Sequence, residues 1–340
     1  MSSKPRQRHT LLDLLEGFYI SRILDALHEE GVLSDLAKQK PLSRVARTRG
    51  LDLSMLRSLL EYVAVRSDVI RVIQSPSGKR FTLGAKYAGS SSFAHHLDQY
   101  IGAYGPCLDG LRSILKSRDV GKERVDRRRH AKAFDHAAEG TNHVETAAIV
   151  RELGITTLLD LGCGTGQLLK ALAKESKSFR GIGVDASEQM LKAGRREANA
   201  MRVNKRLRFF QGDASKCGEM LDERSREKVQ AITAISLLNG YFEDGQDGAI
   251  QLLRHLQKYF PARIMIIGDY YGCLGAPYSR QRGQERTLLH DVAQLVSGQG
   301  IPPHNRLQWE KIYRRAGCTL IKVLEGHSDR VTRFIHLIQL

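Results

Sequence analysis

The residues best suited to chemistry lie in Thr157-Leu158-Leu159-Asp160-Leu161-Gly162-Cys163-Gly164-Thr165-Gly166. Leu158, Leu159 and Leu161 form a short apolar run fit for a buried parallel strand, and Leu168, Leu169, Leu172 and Ala173 follow at helical spacing. Gly162, Gly164 and Gly166 admit positive φ and let a ligand approach the backbone closely. A strand, a glycine turn and a helix N-terminus together make a nucleotide-type cradle. A dinucleotide fold spaces its glycines G-x-G-x-x-G so that a pyrophosphate rests on the helix N-terminus. Here the spacing is G-x-G-x-G, with Asp160 two residues ahead of it.

A nucleoside in such a cradle needs a carboxylate for its ribose at the end of the next strand, about 20 residues on. Asp185 ends Gly181-Ile182-Gly183-Val184 and opens the string Val184-Asp185-Ala186-Ser187-Glu188-Gln189-Met190. A third strand ends in Phe209-Phe210-Gln211-Gly212-Asp213-Ala214. The three motifs together resemble those of class I S-adenosylmethionine-dependent methyltransferases. The resemblance implies S-adenosylmethionine as cofactor, with Asp160, Gly162, Gly164 and Gly166 around its amino-acid end and Asp185, Ala186 and Met190 at the ribose. It places Asp213 on the adenine amino group and the Ala214 amide on a ring nitrogen. The implied reaction is an SN2 methyl transfer, in which alignment of the nucleophile supplies much of the acceleration and a base is needed only where the acceptor must lose a proton.

Many O-methyltransferases of the resembling kind carry a His-Asp pair just after the fourth strand. The matching stretch here, Leu237-Leu238-Asn239-Gly240-Tyr241-Phe242-Glu243-Asp244, has no histidine. Asn239 and Tyr241 stand there instead, and His290 in Leu288-Leu289-His290-Asp291 is the base candidate with suitable neighbours. That tail resembles bacterial secondary-metabolite methyltransferases, some acting at carbon beside a keto group, which leaves O-, N- and C-methylation open. His95, His130, His136, His143 and His304 show no metal-ligand spacing, so no metal is assigned. Nucleic-acid amino-methyltransferases of this class carry an Asn/Asp-Pro-Pro-aromatic motif after the fourth strand. Ile301-Pro302-Pro303-His304 falls too late to be one.

The elements that must position these groups follow from the pattern along the chain. Apolar residues at 12, 15, 19, 23 and 27 recur at three- and four-residue steps, and Leu11, Leu14, Phe18, Ile20 and Leu24 widen the stripe so far that a second protomer is expected against it. Ser43 as a cap, Gly50, and a second start at Asp52 give a helix-turn-helix. Strand-like residues 69–73 and 80–83 around Ser75-Pro76-Ser77-Gly78 add a wing. This resembles the N-terminal dimerisation domain of small-molecule methyltransferases, and the apolar helix Leu53 to Val65, with Arg57 its one strong candidate for base contact, suits a DNA groove poorly. Strands are expected at 156–161, 181–185, 207–211, 229–236, 263–268, 319–325 and 333–338, separated by helices. The expected fold is α/β, a Rossmann-like seven-stranded doubly wound sheet, mostly parallel with the last strand antiparallel, behind a mainly helical winged-helix domain.

The expected division is 1–90 for dimerisation, 91–135 for basic linker helices and 136–340 for the S-adenosylmethionine-binding domain. In the linker, His95, Leu97, Tyr100, Ile101 and Tyr104 are candidate pocket residues. The net charge is +16, and residues 112–133 carry nine Lys/Arg against three Asp/Glu, which reads first as a solvated basic face. Five scattered cysteines without a C-x-x-C pair argue for reduced thiols. The chain has no apolar run long enough to span a membrane and no signal-peptide pattern at its start, so a cytoplasmic homodimer acting on a small-molecule acceptor, without nucleic acid or membrane, is the expectation.

Overall fold

The computed structural model describes residues 9–75, 78–137, 142–281, 284–328 and 331–340. The backbone divides into two compact units, one holding the chain up to Pro106 with Asp126–Ala137, the other holding Cys107–Val125 with the chain beyond residue 137. The stretch 91–135, expected as one linker, is therefore shared between the units.

In the first unit the helix Leu11–Glu29 starts at a capping box: Thr10 Oγ1 accepts from the Asp13 amide (3.2 Å) and Asp13 accepts from the Thr10 amide (2.8 Å). Only Leu24 and Leu27 of this helix are buried, whereas Leu11 is 73% exposed and Leu12, Leu14, Leu15, Phe18 and Tyr19 are also exposed. Helices Leu42–Arg49 and Leu53–Arg66 follow, then the antiparallel strands β1 (Ile70–Ser75) and β2 (Gly78–Leu83). Leu36, Leu60, Val63, Ile70 and Phe81 lie in their common core. Asp52 caps the second of these helices by accepting from the Met55 amide (2.6 Å). Ser43, expected to cap the first, lies inside it instead, because the Pro41 carbonyl already receives the amides of Arg44 and Val45. Pro76 and Ser77 of the expected turn, and the His136 side chain, lie outside the described residues.

The basic stretch before residue 133 is not simply a solvated face. Arg129 is 4% exposed and donates to Asp98 (2.7 Å) and Asp25 (2.6 Å). Asp98 is fully buried and is held by that guanidinium together with His28 (3.0 Å) and Lys132 (3.3 Å). Burial by itself would raise its carboxyl, but His28, Lys132 and Arg129 outweigh burial and bring it down to about 2.

The second unit holds the seven-stranded sheet: β3 (Thr157–Leu161), β4 (Arg180–Asp185), β5 (Leu207–Gln211), β6 (Ala231–Ile235), β7 (Ile264–Tyr270), β8 (Thr319–Ser328) and β9 (Val331–Gln339). Its order is β5-β4-β3-β6-β7-β9-β8, and β9 alone runs opposite to the other six strands. This matches the expected architecture. Alternation along β3 feeds two cores, with Leu159 and Leu161 in the one containing Leu253 and Trp309, and Leu158 in the other with Leu169 and Phe179. The strand order reverses between β3 and β6, so the crevice for a ligand opens at the carboxyl ends of these central strands. β7 continues through Asp269 and Tyr270, two residues past the expected end at 268. No described helix is long and apolar enough to cross a membrane.

Candidate active site

Three elements converge on the glycine turn. Asp160 sits on β3 opposite Gly183 of β4 and Thr233 of β6, and is 4% exposed. The Thr233 hydroxyl donates to its Oδ1 at 2.7 Å. Burial pushes this carboxyl up to about 7, opposed by the Thr233 bond and reinforced by the Asp185 charge. Beyond it Gly162, Gly164 and Gly166 hold φ of 67°, 55° and 72°, the left-handed region that favours glycine. The close packing is as demanding as the torsions, since a Cβ at Gly166 would stand 2.5 Å from Phe209 Cε1 and one at Gly162 would stand 2.9 Å from Leu237 Cδ1.

Asp185 ties this turn to β4. Its Oδ2 accepts from the Gly164 amide and its Oδ1 from the Ser187 amide, both at 2.8 Å. Met190, whose amide bonds the Ser187 hydroxyl (3.4 Å), brings its Cε over Gly164, 3.1 Å from where a Cβ would lie. Ala186 is exposed in the turn between them. The nearby cations are committed elsewhere: Lys170 to Glu197, and Arg195 to Glu188 (2.9 Å) and the Phe209 carbonyl (3.0 Å). That donor set suits a ligand presenting hydroxyls and an amine better than a diphosphate, which calls for basic side chains.

At the end of β5, Asp213 accepts from the Ser215 amide (2.8 Å) and the Tyr241 hydroxyl (3.0 Å), while Ala214 is buried. Partial burial raises the Asp213 carboxyl, but these bonds outweigh it and hold the group below its ordinary value. Burial, then the Asp213 charge, pushes the Tyr241 phenol upward. Tyr241 is thereby bound to the β5 end and does not join the group that holds His290.

That second group surrounds Asn239, in the same short turn, Leu238–Tyr241. Asn239 is buried; its amide donates to Asp269 (3.2 Å) and its Nδ2 to the side-chain carbonyls of Gln294 (3.1 Å) and Gln299 (3.3 Å). Gln294 Nε2 is 3.3 Å from His290 Nε2, one turn away on the helix Glu285–Val296. The Tyr270 ring meets the His290 ring edge-on at 4.8 Å, and its hydroxyl donates to Asp291 (2.8 Å). Asp291 also takes the amides of Cys273 (2.6 Å) and Leu274 (2.7 Å). Burial pushes Asp269 up to about 7 against the amides of Tyr270 and Asn239.

Sequence reasoning missed Thr233, Gln294, Gln299 and Ser236. The i, i+4 spacing of His290 and Gln294 on one helix face was a usable signal for Gln294. Ser236 follows β6 with φ of 52° and donates its amide to the Gly268 carbonyl (2.7 Å), a turn that its residue type does not announce. Among the described residues no three His, Cys, Asp or Glu side chains are grouped to hold a metal.

Residues 158–258 match the model of a methyltransferase domain. The methyltransferase ungE' of Aspergillus campestris is 26% identical over 175 residues, 49% of this chain and 49% of that one, so the match spans about half the length of that relative. Among solved structures, the mitomycin 7-O-methyltransferase MmcR is similar with a TM-score of 0.71, 16% identity and coverage of 97% of this chain and 96% of that one. The O-methyltransferase NcsB1 from neocarzinostatin biosynthesis, in complex with S-adenosylmethionine and 2-hydroxy-5-methyl naphthoic acid, gives 0.67, 14%, 98% and 99%. These structural likenesses extend over both units and establish the fold.

Proposed function

We propose that this chain, whose residues 158–258 are a methyltransferase domain, moves the methyl group of S-adenosylmethionine to a small-molecule acceptor of secondary metabolism. The observation that carries the reading is the double tie of Asp185 to the Gly164 and Ser187 amides, which orients a carboxylate beside a glycine turn with its nearby cations engaged elsewhere. Bound there, S-adenosylmethionine supplies an electrophilic methyl group on a positively charged sulfur.

The protein's share is placement. Asp185 accepts the ribose hydroxyls with Ala186 and Met190 beside it, Asp213 accepts the adenine amine, and the Ala214 amide meets the ring. Gly162, Gly164 and Gly166 let the amino-acid end of the cofactor lie against backbone, with Asp160 behind them. Asn239, Tyr241 and His290 stand at the carboxyl ends of the strands, where an acceptor would lie in line with the methyl group. The likeness to MmcR and NcsB1 supports a small aromatic acceptor and transfer to oxygen.

The same reading includes a homodimer. Six large apolar side chains on the helix Leu11–Glu29 stay exposed within the chain, and a second copy would cover them, as in a winged-helix dimerisation domain. Met55 and Val65, exposed on the helix Leu53–Arg66, weigh against that helix reading DNA. Calorimetric titration with S-adenosylmethionine, followed by methyl-group transfer to a panel of phenols, amines and keto compounds, tests the proposal. Binding with transfer to at least one acceptor supports it, and no binding at all refutes it.

A further inference from the structure

The side chains at the strand ends are polar, yet few of their atoms are placed to take a proton from an acceptor. Asn239 is a carboxamide and has no basic lone pair. Tyr241 and Tyr270 donate their hydroxyl protons to Asp213 and Asp291. Asp269 and Asp291 are 3% and 0% exposed, the first under two backbone amides and the second under two amides and a hydroxyl, so both lie beneath the surface an acceptor would meet.

His290 is fixed by the direction of its chain of bonds. Asn239 Nδ2 donates to Gln294 Oε1, so the Gln294 amide nitrogen is the atom that turns to His290. An NH2 group only donates, and therefore His290 Nε2 must be the lone-pair nitrogen, with the ring proton on Nδ1. Taking a proton at Nε2 would set N–H against N–H. Reversing the chain would require Asn239, Gln294 and Gln299 to turn over together, because Asn239 Nδ2 donates to both glutamines.

We propose that the acceptor brings its own nucleophile to this site: it is an acidic phenol or enol present as its anion, or an aromatic amine, and Gln294 is a positioning residue that keeps His290 as a hydrogen-bonding group and not a base. This rests on the methyl-transfer reading. The acceptor lone pair forms the new bond to the methyl carbon while the carbon–sulfur bond breaks and its electron pair remains on sulfur. An oxygen or carbon anion yields a neutral product, and an amine yields an ammonium that sheds its proton to water. A second imidazole, His304, stands beside the loop that carries Gly275, 3.9 Å from where a Cβ there would lie, and its charge reaches Asp291.

The direct test needs neither cofactor nor acceptor. Nitrogen-15 NMR of the full chain, with His290 assigned through His290→Asn, should show the proton on Nδ1 and Nε2 as a hydrogen-bond acceptor. Gln294→Glu should move the proton to Nε2, because a carboxylate accepts from it. A parent ring protonated on Nε2 overturns the proposal. In single-turnover rates across phenols of graded acidity, the midpoint of the pH profile should move in step with each phenol's own ionisation. A midpoint that stays fixed across phenols and vanishes in His290→Gln or His304→Gln would also overturn it. Failure to bind S-adenosylmethionine in calorimetry would instead remove the methyl-transfer reading on which it rests, whatever the NMR shows.

Discussion

Replacing Asp185 with alanine should damage cofactor binding more than the loss of one ribose contact would. The carboxylate holds the Gly164 and Ser187 amides at 2.8 Å each, so its removal frees both the glycine turn and the start of the helix Glu188–Ala200. Hydrogen bonds to a charged group contribute about 1.5–3 kcal/mol each, which sets the loss at about 3–6 kcal/mol if neither amide finds another partner. Asp185 is half-buried, so water reaches part of the turn and the lower end applies. At about 1.4 kcal/mol per decade this is an affinity loss of roughly 100-fold or more for S-adenosylmethionine. Asp185→Asn keeps one acceptor oxygen and should lose about half as much on the free-energy scale. Calorimetric titration reads both variants, and circular dichroism verifies that they fold. An alanine variant that binds within about threefold of the parent, a difference well under 1 kcal/mol, would refute the reasoning.

Gly166→Ala should destabilise the fold by about 2–5 kcal/mol, from a left-handed torsion and the overlap with Phe209, read as a lower midpoint in urea. An unchanged midpoint would contradict the geometry. Asp160 and Asp269 both titrate in the folded chain near 7 against an ordinary 3.8, so the folded state binds their protons more tightly than the unfolded state does. Their stabilising contribution is complete below the ordinary value and lost as pH rises to about 7, at up to ~1.4 kcal/mol per pH unit per carboxyl. Asp160→Asn should halve the fall in unfolding free energy across that window, and parallel curves would sink the assignment. Leu15→Glu with Phe18→Glu should convert a dimer to a monomer in light scattering; a parent that is already monomeric would remove the dimer proposal. Arg129→Met leaves the buried Asp98 to His28 and Lys132 and should cost about 3–5 kcal/mol by thermal unfolding, while a change below ~1 kcal/mol would show that those two partners suffice.

The sheet was legible because the central strands are short, mainly apolar runs, and because a glycine follows β3 and an aspartate ends β4. Leu158 to Leu161 and Ala231 to Ile235 are buried on both faces, which is the condition that writes such runs. The antiparallel last strand came from the resemblance, since strand direction leaves no mark on composition. What escaped the sequence is long-range pairing. Arg129 looks like one more cation in a basic stretch until Asp98 and Asp25, far away in the chain, are seen to need it. The partition of residues 107–125 is equally non-local: Gly121 packs on the Val296 carbonyl, where a Cβ would stand at 2.3 Å, and Lys122 pairs with Glu243. In the candidate site, the glycines and aspartates announce themselves by spacing. Gln294 and Thr233 do not, because a glutamine or a threonine becomes significant only once it is known which atom it faces.

The most direct test of the central claim is amide hydrogen exchange with and without S-adenosylmethionine. The account predicts slowed exchange at Gly162 to Gly166, at Asp185 to Met190 and at Asp213 to Ala214 together, with the strands beneath them unchanged. Protection confined to another surface, or no change at saturating cofactor, would contradict it.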